Sequence, residues 1–175
     1  MRLLISIVGG VAAARAVRKT TGLDTQIKWP NDLLVQGRKV AGILAESAVA
    51  GDSVLHAVLG IGINVALETG RSTDIAASAI SINAAAGRDV SREDLLRQLL
   101  QDLDVLYLQL DRGQSPIPEW RDLLETTGQR VDAGWGNDSY SGVAEGVDEI
   151  GNLLLRQDDG QLVTLTAGDV TLRQA

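Results

Sequence analysis

The chain has no cysteine and no phenylalanine, and only one histidine, three tryptophans and two tyrosines in 175 residues. Without cysteine there are no disulfides, thiolate metal sites or cysteine nucleophile, and a single histidine excludes the usual multi-histidine zinc sites. With so few aromatics the core falls to Leu, Ile, Val and Ala, within an apolar share of 45%. No apolar run reaches the roughly 18–20 residues of a membrane-spanning helix. Basic blocks are also missing: sixteen Lys and Arg against twenty-three Asp and Glu give a net charge of −7. That balance argues against nonspecific nucleic-acid binding. What remains suits a globular protein of one domain, or one domain with a small appendix. A chain of ~150 residues already hides roughly 70% of its unfolded surface.

The opening residues carry two readings. Met1-Arg2, an apolar run from Leu3 to Val11, then Ala12-Ala13-Ala14-Arg15-Ala16 has the texture of a secretion signal with an A-x-A site. The same residues make a mostly buried helix, because Leu3, Leu4, Ile7, Val8 and Val11 recur at helical spacing. Arg15, Arg18 and Lys19 then load its last turns, where cations favour the helix dipole, and Gly22 supplies a stop.

Downstream, 25–29, 32–36, 38–50 and 53–60 read as strands joined by turns at Pro30, Gln36-Gly37 and Gly51-Asp52. This is an antiparallel meander rather than βαβ alternation. The polar stretch 68–89 carries no clear pattern. Ser91-x-x-Asp94 then opens a helix whose apolar stripe runs through Leu95, Leu96, Leu99, Leu100, Leu103, Leu106 and Leu110 to a stop near Gly113. A shorter helix is expected over 118–126. From 127 the texture changes to short β segments at 130–131, 140–144, 153–156, 161–166 and 170–172, the signature of a small barrel of SH3 type. The expected class is therefore α+β: a mainly antiparallel sheet with helices over 1–126, followed by an SH3-like barrel over 127–175.

Three segments carry polar or glycine residues in arrangements that can do chemistry. In Lys28-Trp29-Pro30-Asn31-Asp32, Asp32 can ligate a hard cation such as Mg²⁺ and the Asn31 amide can fix a phosphate or base edge. On local grounds the same residues make an ordinary Pro-Asn-Asp turn. Lys39 opens a strand in which strict alternation groups it with Ala41, Ile43 and Ala45. An ammonium there can neutralise charge on a phosphate or carboxylate, although most strand-end lysines simply face solvent. Gly60-x-Gly62-x-Asn64 follows a strand but lacks a third glycine and a following helix, so it is no dinucleotide fingerprint. His56 has no Ser or Cys partner and reads as structural. Asp148-Glu149 reads as a solvated hairpin turn.

Taken in order, K-W-P-N-D at 28–32, G-R-K-V-A-G-I-L-A-E at 37–46 and G-I-G-I-N at 60–64 closely resemble the biotin–protein ligases. The resemblance covers essentially the whole chain, including the opening helix, and so argues against a secretion signal. It implies a partial catalytic domain of the class II synthetase and biotin-ligase type with a C-terminal SH3-like domain. The reaction implied is ATP-dependent biotinylation of a carrier-protein lysine through biotinyl-5′-AMP. Lys39 matches the family lysine that contacts biotin and adenylate. Gly42 and Gly62 would admit the ligand close to the backbone, Asn31, Asp32 and Asn64 would hold ATP, and Asp32 would bind Mg²⁺; Trp29 is assigned to packing.

The implied partner is the biotin carboxyl carrier domain of a carboxylase, in the cytoplasm, with no nucleic acid or membrane and with homodimerisation left open. The family's basic loop, G-R-G-R-x-x-R, has no counterpart in these residues. The chain thus reads as the C-terminal portion of a ligase, with impaired activity expected. A noncatalytic binding module and a lipoate- or aminoacyl-directed relative stand as alternatives.

Overall fold

The computed structural model describes residues 2–50, 53–66, 78–136 and 138–172. Helix α1 (Arg2–Thr21) leads into a four-stranded antiparallel sheet in meander order. Its strands are β1 (Gln26–Lys28), β2 (Asp32–Val35), β3 (Arg38–Ala50) and β4 (Ser53–Ile63). Helices α2 (Ile82–Ala86), α3 (Arg92–Asp111) and α4 (Ile117–Asp122) follow. A second sheet is built from β5 (Arg130–Trp135), β6 (Asp138–Val147), β7 (Leu153–Arg156), β8 (Leu162–Leu165) and β9 (Asp169–Leu172). Its order is β8-β7-β6-β5-β9, with every pairing antiparallel.

The mixed helix and antiparallel-sheet architecture agrees with the sequence reading. The expected barrel is not shown: among the described residues no pairing closes β8 onto β9. Strand β4 runs past the expected end at Gly60 and continues through the glycine stretch to Ile63. Of the polar stretch 68–89, residues 68–77 lie outside the described residues, and the remainder contains α2.

Helix α1 is buried on nearly every side from Ile7 to Val17. Gly9, Gly10 and the alanines let it lie close to its neighbours. A Cβ on Gly9 would come within 3.0 Å of Leu59 and Ile43 side-chain atoms in the sheet. Its cationic end is pinned to other elements although Lys19 stays about half exposed. The Arg15 guanidinium donates twice to Glu119 of α4, and Lys19 pairs with Asp102 of α3. Asp102 is 2% exposed and also accepts from Gln98 at 2.9 Å, so the α3 stripe buries a paired charge together with its leucines. That stripe is wider than the face it covers: Leu96 and Leu100 remain more than half exposed. The Ser91 side chain caps α3 by accepting from the Asp94 N–H at 3.1 Å, while Asp94 itself takes Arg97.

Trp29 joins the first sheet to the second. The ring is fully buried, its backbone N–H donates to Thr126 Oγ1 at 2.9 Å, and its indole N–H donates to the Gly151 carbonyl at 3.0 Å. Gly151 sits in the β6–β7 connection, which folds around Asp148. The Asp148 carboxylate accepts the backbone N–H groups of Ile150 and Asn152 and the Asn152 side-chain amide, at 2.8–3.0 Å. Partial burial works to raise its proton affinity, but these hydrogen bonds outweigh that and hold the carboxyl below the usual aspartate range. What read as a solvated turn is thus an organised cradle for the carbonyl that receives Trp29.

The depressed Asp148 gives a pH signature. Its stabilising contribution is complete above the unfolded aspartate value of about 3.9 and is lost as pH falls through the lower folded value. In thermal melts across that acid range, Asp148→Asn is expected to lose less stability per pH unit than the native chain. Equal slopes would show that the cradle carboxylate is not depressed.

Candidate functional site

The site grows from the turn between β1 and β2. Trp29, Pro30 and Asn31 form this turn, with a cis peptide bond between Trp29 and Pro30. Asn31 is tied to β3 twice. Its carbonyl accepts the Ile43 N–H at 2.9 Å and its side-chain amide donates to the Ile43 carbonyl at 2.7 Å. The turn therefore has a fixed position on β3, and Asp32 leaves it at the start of β2, registered with Gly42.

A bulge then places Lys39. Leu33 pairs with Ala41 but Leu34 pairs with Lys39, so Val40 is an extra residue in β3. Val40 and Ala41 are both buried, and alternation restarts after them. Strict alternation groups Lys39 with Ala41, Ile43 and Ala45; the bulge puts it on the other face, with Gly42. The Lys39 ammonium lies 2.6 Å from Asp32 Oδ1, and a Cβ built on Gly42 would stand 3.4 Å from the Lys39 Cε and Nζ. The lysine side chain is 44% exposed and that of Asp32 19%. A pair so open to water contributes at most about 1 kcal/mol to stability. Its effect is to aim an ammonium.

Register extends this arrangement into a row. Lys28 pairs with Asp32, Asp32 with Gly42, and Gly42 with Gly62. Opposed residues on antiparallel strands share a face, so all four lie on the side of the sheet away from Ile27, Leu33, Ala41 and Ile63. Gly60, opposite Leu44, adds the next step. Among the described residues nothing requires glycine at 60 or 62: a Cβ would meet nothing closer than 3.7 Å at Gly60 and 4.0 Å at Gly62, and neither has a positive φ. Glycine where a side chain fits marks close approach from outside. The result is a backbone floor bordered by a cation held on a carboxylate, suited to a ligand that carries a carboxylate or phosphate.

The expected residues divide accordingly. Asp32, Lys39, Gly42 and Gly62 come together. Asn31 stands beside them with its amide donor engaged by β3. Asn64 lies just past β4, where its N–H donates to the Val40 carbonyl and its carbonyl accepts from Ile82, both at 2.7 Å. It also borders a cavity of about 380 Å³ with Ile61, Ile63, Arg92 and Leu95, so its neighbours are partly those of the opposite face. The 78–80 segment supports Lys39 from the backbone, with Ile80 N–H donating to the Lys39 carbonyl at 2.9 Å. His56 is exposed opposite Ala48 in the outer part of the hairpin, six residues or roughly 20 Å along the strand from Gly62. Lys28 and Gly60 join the row through register, which motif spacing alone does not reveal. Among the described residues no three His, Cys, Asp or Glu side chains gather where they could hold a metal ion.

Comparison with known proteins gives a consistent result. The model of the biotin/lipoate A/B protein ligase family matches residues 2–64, and that of the biotin protein ligase C-terminal domain matches 126–173. The chain is 31% identical over 159 residues to the bifunctional ligase/repressor BirA of Bacillus subtilis, covering 89% of this chain and 49% of that protein. It is 36% identical over 141 residues to the biotin–[acetyl-CoA-carboxylase] ligase of Paracoccus denitrificans, covering 78% and 59%. The chain thus spans about half the length of these relatives. Its fold is that of the biotin protein ligase from Aquifex aeolicus, solved in complex with biotin and ATP. The TM-score is 0.81 at 24% identity, over 99% of this chain and 72% of that one.

Because the fold leaves room at Gly62, Gly62→Ala is expected to keep stability unchanged or to raise it by up to about 1 kcal/mol. Thermal or urea unfolding checks this. A clear loss of stability would mean that the glycine serves the fold and not a ligand.

Proposed function

The chain belongs to the biotin protein ligase family, and from that premise we propose that it serves ATP-dependent biotinylation of a carrier-protein lysine through biotinyl-5′-AMP. The observation that carries this reading is the Lys39–Asp32 pair set beside the Gly42–Gly62 floor. In the first step a biotin carboxylate oxygen attacks the α-phosphorus of ATP and the bond to pyrophosphate breaks. In the second, a carrier lysine amine attacks the biotinyl carbonyl carbon, AMP leaves, and the amine proton is lost to solvent. Both steps ask the protein mainly for positioning and for charge placed where charge develops.

Lys39 supplies that charge. Before ligand binds, Asp32 holds the ammonium near the floor. When carboxylate and α-phosphate arrive, the same ammonium can bridge them with little reorganisation. Gly42 and Gly62 let the ligand settle on the backbone, and Asn31 keeps the Asp32 turn in place while bordering the nucleotide. Asn64 is assigned to the nucleotide side. Mg²⁺ enters as part of the ATP substrate. An ion held by phosphate oxygens needs only one or two protein carboxylates, and Asp32 offers one. The open second sheet is read as the SH3-like unit of the family. The acceptor is assigned as the biotin carboxyl carrier domain of a carboxylase, and the setting as the cytoplasm.

These 175 residues contain no G-R-G-R-x-x-R segment, and the adenylate grip it provides is expected to be weak in the chain alone. Biotin-dependent ATP–pyrophosphate exchange tests both parts. Residues 1–175 alone should exchange poorly. In a ligase that joins this chain to a segment bearing the basic loop, Lys39→Ala should cut exchange by roughly 10²–10³-fold, the usual cost of removing one charge-stabilising group. Unchanged exchange in Lys39→Ala removes Lys39 from the site. Robust exchange by the chain alone overturns the expected impairment, and exchange driven by lipoate in place of biotin redirects the substrate.

A further inference from the structure

We propose that Trp29 is a positioning residue through which the second sheet holds the Asp32 turn in register with Lys39. The proposal deepens the site reading above and rests on it for the functional meaning of that turn. The turn is clamped from two directions. On one side Asn31 makes its two hydrogen bonds to Ile43 of β3. On the other, both N–H groups of Trp29 are spent outside the first sheet, on Thr126 and on Gly151.

Gly151 belongs to the β6–β7 connection, whose shape depends on the Asp148 cradle. Arg121 of α4 reaches the same connection, donating to the Val147 carbonyl at 3.3 Å. Asp32 is three residues from Trp29, and its pairing partners are Lys28, Gly42 and Lys39. A shift of the indole therefore moves the carboxylate that aims Lys39. Simple packing asks only that the ring be buried. The indole bond to Gly151, 122 residues away, fixes the ring's orientation as well, and the backbone bond to Thr126, 97 residues away, fixes the main chain that carries it.

Amide hydrogen exchange on the full chain tests the coupling without ligand. The Ile43 amide reports the Asn31 carbonyl, and amides of α1 report global stability. Trp29→Phe removes the indole donor, and Asp148→Ala loosens the cradle from a partly exposed position, so the second variant carries the test if the first does not fold. Both should speed Ile43 exchange roughly three- to tenfold relative to α1, the scale of one lost hydrogen bond. Faster exchange confined to residues 148–152 overturns the proposal. So does a uniform rise at all amides, which is what a purely structural Trp29 would give.

Adding ATP separates the two readings. In a ligase that joins this chain to a segment bearing the basic loop, ATP should slow Ile43 exchange, and slow it less when Asp148→Ala is present. If ATP leaves Ile43 unchanged in that ligase, the nucleotide reading of the site fails, while the ligand-free ratio still decides the coupling.

Discussion

Side chains on a strand alternate with a period of two, so the register between β3 and β4 decides which residues meet α1 and which face outward. Pairing Ile43 with Ile61 and Ala45 with Leu59 sends branched side chains toward the helix. The same register sets Gly42 against Gly62 and Leu44 against Gly60 on the other face. A slip of one residue would drive glycines into the core and isoleucines onto the floor of the site. Gly9 reinforces the choice, because only a residue without a side chain lets α1 close on Leu59 and Ile43 without displacing them. Core and site are thus two outcomes of one pairing.

Much of this was legible in the residues. The meander follows from β-rich runs punctuated by turns, and α3 follows from its leucine spacing and Ser91 cap. The grouping of Lys39 was not legible, because alternation assumes an unbroken strand. The Val40 bulge reverses the outcome, and a bulge between apolar residues leaves no mark in composition. Asp102 was hidden for a related reason: the charge that balances a buried acid on an apolar face comes from Lys19, 83 residues away. Helix α2 has five residues and no stripe to read. Barrel closure was inferred from strand spacing, which reports how many strands there are but not which edges pair.

Hydrogen-bond inventory separates the site residues more sharply than motif membership does. Asn31 and Asp32 are adjacent and equally polar, yet Asn31 faces back into β3 while Asp32 faces the glycine row. Trp29 and Lys28 divide in the same way, one locked into the second sheet and the other registered beside Asp32. Within five consecutive residues, Trp29 and Asn31 hold the frame while Lys28 and Asp32 face the glycine row.

Helix α1 also has a consequence for how the polypeptide reaches its native state. Its polar partners and its apolar cover come from β3, β4, α3 and α4, all later in the chain. A helix apolar on all sides gains little from forming alone in water, since its stability comes from tertiary contact. During synthesis it emerges before the strands and helices that supply these contacts. A large share of the body therefore condenses late and together, as expected when key contacts span long separations. The resemblance of residues 1–16 to an export signal has the same origin. Read without the later elements that bury them, those residues show an apolar run and none of the contacts that explain it.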